Sequence, residues 1–196
     1  TIAAGEKVAI VGPSGSGKST LFQLLINELR PSSGGIFIND QPMQSINEQD
    51  IWARMSIQLQ HNHFFSGTLR ENLQLAKPTA TDEELQQVLD QVFITKPLSA
   101  IVYEKGGNLS GGEKQRISLI RNLQFMPKVL LLDEITSALD ESNKHNVNEM
   151  IHRYVREQNI AVLWVTHDKD EINHADKVIT LQPHAGEMQE ARYELA

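Results

Sequence analysis

Cysteine is absent from the 196 residues. That excludes disulfides and thiolate metal sites and fits a reducing compartment. Long hydrophobic runs are missing too: nothing approaches the ~20 apolar residues of a membrane-spanning helix, and the start carries no signal-peptide pattern. The chain opens Thr1-Ile-Ala-Ala-Gly5 without an initiator methionine, as expected of a fragment. Positive charge is in deficit, with 18 Lys and Arg against 25 Asp and Glu and a net charge of −7. A broad basic surface is therefore not expected, and nucleic acid is not expected as a partner. There is no internal repeat and no low-complexity segment. What remains is a chain of 40% apolar residues, ordinary for a globular protein and long enough for one α/β domain with a real core.

Val8–Val11 is a short apolar run that ends in a glycine-rich turn. Leu21, Leu24, Leu25 and Leu29 recur at helical spacing, which predicts a helix over Lys18–Leu29. Ile36–Ile38 reads as a small strand before a polar turn at Asn39-Asp40, and Met55–Leu59 as another apolar stretch. The pattern is helical from Thr68 to Val92, with Thr81-Asp-Glu-Glu84 as a capped start. Residues Ile94–Asn108 are irregular, and Gly111–Met126 reads as a helix stopped by Pro127. Val129–Leu132 is a continuous apolar run of the kind found in parallel strands buried on both faces, and Ile160–Val165 and Lys177–Leu181 read as a second and a third buried strand. Ser142–Gln158 is helical between the first two. Alternating strands and helices predict right-handed crossovers and an open, mostly parallel sheet flanked by helices.

Two features carry chemistry on their own. Gly12-Pro13-Ser14-Gly15-Ser16-Gly17-Lys18-Ser19-Thr20 fits G-x-x-x-x-G-K-[ST] between a strand and a helix. Glycines let backbone N–H groups turn toward phosphates, the helix start adds its positive dipole end, Lys18 brings a point charge, and the Ser19 hydroxyl suits Mg²⁺. The second is Val129-Leu-Leu-Leu-Asp133-Glu134, two carboxylates at the end of a buried strand, the edge where ligands bind in open α/β sheets. A solvated acidic turn would look the same. After a P-loop, the pair reads as Asp133 holding Mg²⁺ through water and Glu134 polarising the attacking water as general base.

Leu109-Ser110-Gly111-Gly112-Glu113-Lys-Gln-Arg116 is the third motif. With the other two, in this order and spacing, the chain resembles the ATP-binding cassette ATPases from its first strand nearly to its end. The resemblance implies a P-loop NTPase α/β fold with a small antiparallel β-subdomain and a helical subdomain. It implies one nucleotide-binding domain over residues 1–196, its core roughly 1–60 and 109–196 and its helical subdomain roughly 61–108. It implies ATP and Mg²⁺, and a sandwich homodimer or heterodimer in which Ser110–Glu113 of one copy faces the γ-phosphate held by the other. Glu113 stands where Gln is more usual. Gln60 is similar to the loop glutamine that reaches Mg²⁺ and the water. Gln58 is its rival, and the following Phe64-Phe-Ser-Gly-Thr-Leu-Arg-Glu-Asn72 favours Gln60. Ser137-Ala-Leu-Asp140 resembles the loop lining the dimer seam, and His167 the switch histidine that contacts the γ-phosphate. A separate membrane-spanning permease is implied as partner, with the chain at the cytoplasmic face of the inner membrane.

Some features depart from that pattern. The aromatic residue on which the family stacks adenine would lie upstream of Thr1. The insert between Gln60 and Ser110 is short. Phe65–Asn72 and Tyr103–Asn108 resemble exporters with fused membrane domains, whereas Thr166-His-Asp168 resembles importer or stand-alone subunits. From about Leu109 onward the resemblance is to the ATP-binding subunit of an enterobacterial iron exporter. Residues 1–108 are more similar to exporters of thiols, peptides or lipids, which predicts a chimera joined near Ser110. Two other functions stay open: a non-transport member of the family acting on DNA or ribosomes, and a folded but inactive cassette.

Overall fold

The strand that opens the fold, β1 (Lys7–Val11), is followed at once by the glycine turn and by α1 (Lys18–Leu25). In this computed structural model the described residues are 1–59, 62–137 and 139–182, with the backbone of Glu194 and Leu195. The first half continues with β2 (Phe37–Ile38), β3 (Gln41–Pro42), α2 (Glu48–Trp52) and β4 (Met55–Gln58). Next come β5 (Gly67–Thr68), α3 (Leu69–Gln74), α4 (Asp82–Gln91) and β6 (Ile101–Val102). The second half runs α5 (Gly111–Leu123), β7 (Val129–Asp133), α6 (Glu141–Gln158), β8 (Ala161–Val165), α7 (Lys169–Asn173), β9 (Lys177–Thr180) and β10 (Glu194–Leu195).

Six strands form one sheet in the order β10-β9-β1-β8-β7-β4. The pairs are parallel except β10 on β9. Alternate residues of the central strands enter different cores, as the two-residue period of a strand requires. Leu130, Leu132, Val162 and Trp164 pack on one face, with α5, α6 and the helices of residues 64–98. Ile10, Leu131, Leu163 and Val165 pack on the other, with Phe22 and Ile26 from the α1 segment and with Ile51 of α2. Ile10, Leu130, Leu131 and Leu132 are fully buried, each contributing about 1.5–3 kcal/mol over an exposed side chain. Because the sheet is parallel, β1, β4, β7 and β8 all end on one edge. The register sets Asp133 beside Val165 and Gln58 beside Leu132.

The expected helix over Lys18–Leu29 ends at Leu25, because Asn27 turns into the left-handed region with φ 63°. The helical stretch over Thr68–Val92 is two helices, α3 and α4, separated by a segment holding Pro78, which lacks the N–H a continuous helix needs. The turn at Asn39-Asp40 closes a β2–β3 hairpin with both residues at positive φ, 49° and 63°, the two-residue geometry that matches strand twist. Helices α2 and α7 went unread in the sequence, yet each has a polar cap: Asn47 accepts from the Gln49 amide, and Asp168 from the Asp170 and Glu171 amides.

Candidate active site

The turn after β1 is shaped by what cannot be there. A Cβ on Gly12 would stand 2.6 Å from both the Leu181 carbonyl oxygen and Ser16 Oγ, so only glycine fits. Gly15 and Gly17 lie at φ 80° and 93°, the left-handed region that glycine enters without steric cost. Lys18 folds back over the loop, and its Nζ donates to the carbonyls of Gly12 (2.7 Å) and Pro13 (3.0 Å). Ser16 is buried, and its Oγ has no hydrogen-bond partner. Such an orphaned polar atom is costly unless a ligand completes it. Pro13, Ser14, Ser19 and Thr20 are exposed, and no acidic residue occupies the first turn of α1 to offset its dipole. The loop is a cradle for an anion.

Asp133 and Glu134 stand on the same sheet edge. Burial raises the Asp133 pKa, the neighbouring Glu134 carboxylate adds to it, and Lys18 opposes both. The influence of Lys18 ties the acidic pair electrostatically to the glycine turn. Glu134 is held at φ 47°, a conformation uncommon for a residue with a Cβ. Its N–H donates to the Val165 carbonyl (3.0 Å) and its own carbonyl accepts from Ser137 Oγ (2.9 Å). This locked backbone turns the side chain toward the loop after β8, where His167 Nε2 lies 2.8 Å from Glu134 Oε1. A carboxylate and an imidazole in contact beside an anion cradle can polarise a water and steady charge on a phosphoryl group.

Ser110 caps α5 in a reciprocal box with Glu113: each side chain accepts from the other's backbone N–H, at 3.2 and 2.8 Å. Lys96 also sits 3.2 Å from Glu113. Burial alone would raise the Glu113 pKa, but the Ser110 amide and Lys96 together hold it below its usual value. The glutamate at this position is thus the capping partner of the serine. Asp140 caps α6 in the same way, accepting from the Asn143 amide. The two helix starts lie side by side, since a Cβ on Gly112 would meet the Asn143 amide group at 3.3 Å. Ser110 and Gly111 are exposed. Among the described residues, no hydrogen bond or ion pair links Ser110–Glu113 or Asp140 to Gly12–Thr20.

A family model described as ABC transporter matches residues 1–137. The chain belongs to the ABC transporter ATPase family. It is 56% identical over its whole length to the protein named "Probable iron export ATP-binding protein FetA" of Escherichia coli K12, covering 88% of that protein. It is 36% identical over 97% of its length to the mitochondrial iron-sulfur clusters transporter ATM1 of Debaryomyces hansenii, of which it spans 28%. Against the glutathione/L-cysteine transport protein CydC of E. coli the figures are 38%, 91% and 32%. A solved bacterial Atm1-family ABC exporter with ATP bound superimposes with a TM-score of 0.83 at 30% identity, over 92% of this chain and 32% of that one. The chain therefore spans most of FetA but about a third or less of the transporters with longer chains. Likeness to FetA runs from end to end, so a junction near Ser110 finds no support in it.

For this ABC ATPase, the structure describes one of the two rival glutamines. Gln58 is buried, with Nε2 donating to Gln115 Oε1 (2.9 Å) and Oε1 facing Asn122 Nδ2 (3.5 Å). It is turned into the protein. Gln60 lies outside the described residues, as does Ala138 in the loop before Asp140. Asp168 both caps α7 and pairs with Lys144 of α6 at 2.8 Å. Thr136, Thr166 and Glu171 form a buried cluster behind Glu134 and His167 that sequence reasoning missed. Its one legible signal was Asp168-x-x-Glu171, a helix-start pattern.

Proposed function

We propose that the chain powers transport across the inner membrane, in partnership with a separate permease, by hydrolysing ATP between two copies of the ATPase or between this chain and a related one. The contact of His167 with Glu134, beside the P-loop, carries this reading. Gly12–Thr20 would hold the β- and γ-phosphates. Glu134 would take up a proton from the attacking water, and His167 would contact the γ-phosphate. Ser110, Gly111, Gly112, Glu113 and Asp140 of the second copy would close the site from the far side. That role explains two capped, exposed helix starts side by side that, among the described residues, have no hydrogen bond or ion pair to their own cradle.

The donors suit Mg²⁺: the Ser19 hydroxyl, the Asp133 carboxylate through water and the Gln60 amide oxygen are hard oxygen ligands. Among the described residues no group of three or more His, Cys, Asp or Glu could hold a metal by itself. That is the expected arrangement for a cation carried in largely by substrate phosphates. When bound, Mg²⁺ neutralises charge developing on the β- and γ-oxygens. Among the described residues no helix is long and apolar enough to cross a membrane, which accords with a permease on another chain. FetA's name suggests iron as cargo. Cells carrying the chain and its permease should then hold less iron than cells without them, and unchanged iron would point instead to thiols, peptides or lipids.

The test of the enzyme is Glu134→Gln. Phosphate release should fall by ~10²–10⁴-fold, the usual contribution of a general base, with ATP binding intact. In Mg-ATP the variant should sediment as a dimer. A variant that stays monomeric at saturating nucleotide removes the two-copy site.

A further inference from the structure

Glu171 is an expensive residue to keep where it is. Only 6% of its surface is exposed, and a carboxylate in such a place is unfavourable unless its oxygens are satisfied. Here both are. Oε1 accepts from Thr136 Oγ1 at 2.6 Å, and Oε2 accepts from Thr166 Oγ1. The two hydroxyls come from different strand ends. Thr136 follows Glu134 by two residues, and Thr166 immediately precedes His167. Both threonines are buried, at 2% and 3% exposure, so water does not compete for their hydrogen bonds.

The surrounding bonds show what the carboxylate fixes. Thr166 Oγ1 also accepts from the Asp168 N–H (3.0 Å), which closes a turn around His167. Asp168 in turn is anchored to α6 through Lys144 (2.8 Å). His167 itself is exposed, and its Nε2 meets Glu134 Oε1. Its position therefore depends on the backbone on either side, and that backbone is tied down by Thr166 and Asp168. Glu134 depends likewise on the turn that runs through Thr136.

We propose that Glu171 is a positioning residue for hydrolysis, clamping the Thr136 and Thr166 hydroxyls together so that Glu134 and His167 are held in contact. The inference rests on the reading of Glu134 and His167 as the hydrolytic pair. Glu171 acts through the side chains it holds, the two threonine hydroxyls first, with Asn148 as a further hydrogen-bond partner. A carboxylate suits the task because it can accept from both hydroxyls at once. An amide offers one acceptor and one donor, so one of the two hydroxyls must turn round to accept.

The test compares Glu171→Ala, Glu171→Gln and Thr136→Val with wild type in the full chain, with Glu134→Gln as reference. Misplacement of reacting groups by about 1 Å costs up to ~100-fold in rate. Glu171→Ala should therefore lose ~10- to ~100-fold in kcat while KM for ATP stays within about two-fold, since the cradle is untouched. Glu171→Gln should recover part of that loss, and Thr136→Val, which cuts one arm of the clamp and leaves the carboxylate, should fall between wild type and Glu171→Ala. If Glu171→Ala does not fold, Glu171→Gln and Thr136→Val decide the matter alone. Turnover at the wild-type level in both, or a loss confined to KM, overturns the positioning role while a dead Glu134→Gln leaves the site reading intact. A Glu134→Gln that hydrolyses ATP normally sinks the reading and this inference with it.

Discussion

Gln58 ends β4 with its amide turned inward, donating to Gln115 and facing Asn122. A buried amide in this setting is a structural part. Gln58→Leu should cost about 1–3 kcal/mol, because the acceptor on Gln115 loses its donor inside the protein. Its kcat should change little. Gln60→Ala should do the reverse, holding the urea midpoint and lowering kcat. Parallel denaturation and phosphate-release assays check both, and a Gln58→Leu protein of normal stability and low kcat would reverse the assignment. The sequence could rank these glutamines only by register against the segment that follows. The burial of Gln58 depends on α5 crossing β4, a contact between residues more than fifty positions apart, which no local pattern records. Glu134 shows the same limit. Its place at a strand end was legible, whereas its left-handed backbone and its contact with His167 come from the register of β7 on β8.

At the scale of elements, three helix starts in this chain have the same reciprocal box: Thr68 with Glu71, Thr81 with Glu84 and Ser110 with Glu113. Local chemistry makes such starts readable, which is why α4 and α5 begin where the pattern placed them. Helix ends and short elements were less legible. Helix α1 stops early because Asn27 adopts positive φ, which nothing in the leucine spacing forbids, and α7 is five residues long, too short for periodicity to show. The boxes also permit a controlled comparison. Thr81→Ala and Ser110→Ala each remove one cap and should each cost about 0.5–2 kcal/mol. Thr81 belongs to none of the nucleotide motifs, so its variant should keep full ATPase activity. Ser110→Ala should lose turnover well beyond its stability cost, because in the proposed two-copy site its hydroxyl would also meet the phosphate held by the second copy. Equal activity in the two variants would reduce Ser110 to a cap.

Across the whole molecule, ionisable groups pull stability in two directions as pH changes. Glu6, Glu113 and Asp168 have lowered pKa values. For Glu6 the chief cause is Lys177, for Asp168 it is Lys144, and for Glu113 the Ser110 amide and Lys96 outweigh burial. Each adds stability that is complete above the unfolded-state value of about 4 and is lost as pH falls through the lower folded value. Asp133 and Glu171 are shifted upward, in each case chiefly by burial. The native state therefore takes up protons there before the unfolded chain does, and acidification from neutrality first relieves the cost of burying those charges. The two groups of carboxylates act in different windows: together they raise the urea midpoint slightly between neutrality and about pH 5 and lower it steeply below about pH 4, while His152, whose pKa burial and Lys7 hold down, opposes the rise below its unfolded-state value of about 6.5. Glu171→Gln removes one of the upward-shifted groups and should flatten the rise without moving the acid limb. Lys144→Met takes away the partner that holds Asp168 low and should soften the fall. A Glu171→Gln midpoint that follows the wild type between pH 7 and pH 5 would mean that Glu171 takes up its proton no earlier in the native state than in the unfolded chain, and its upward shift would not hold.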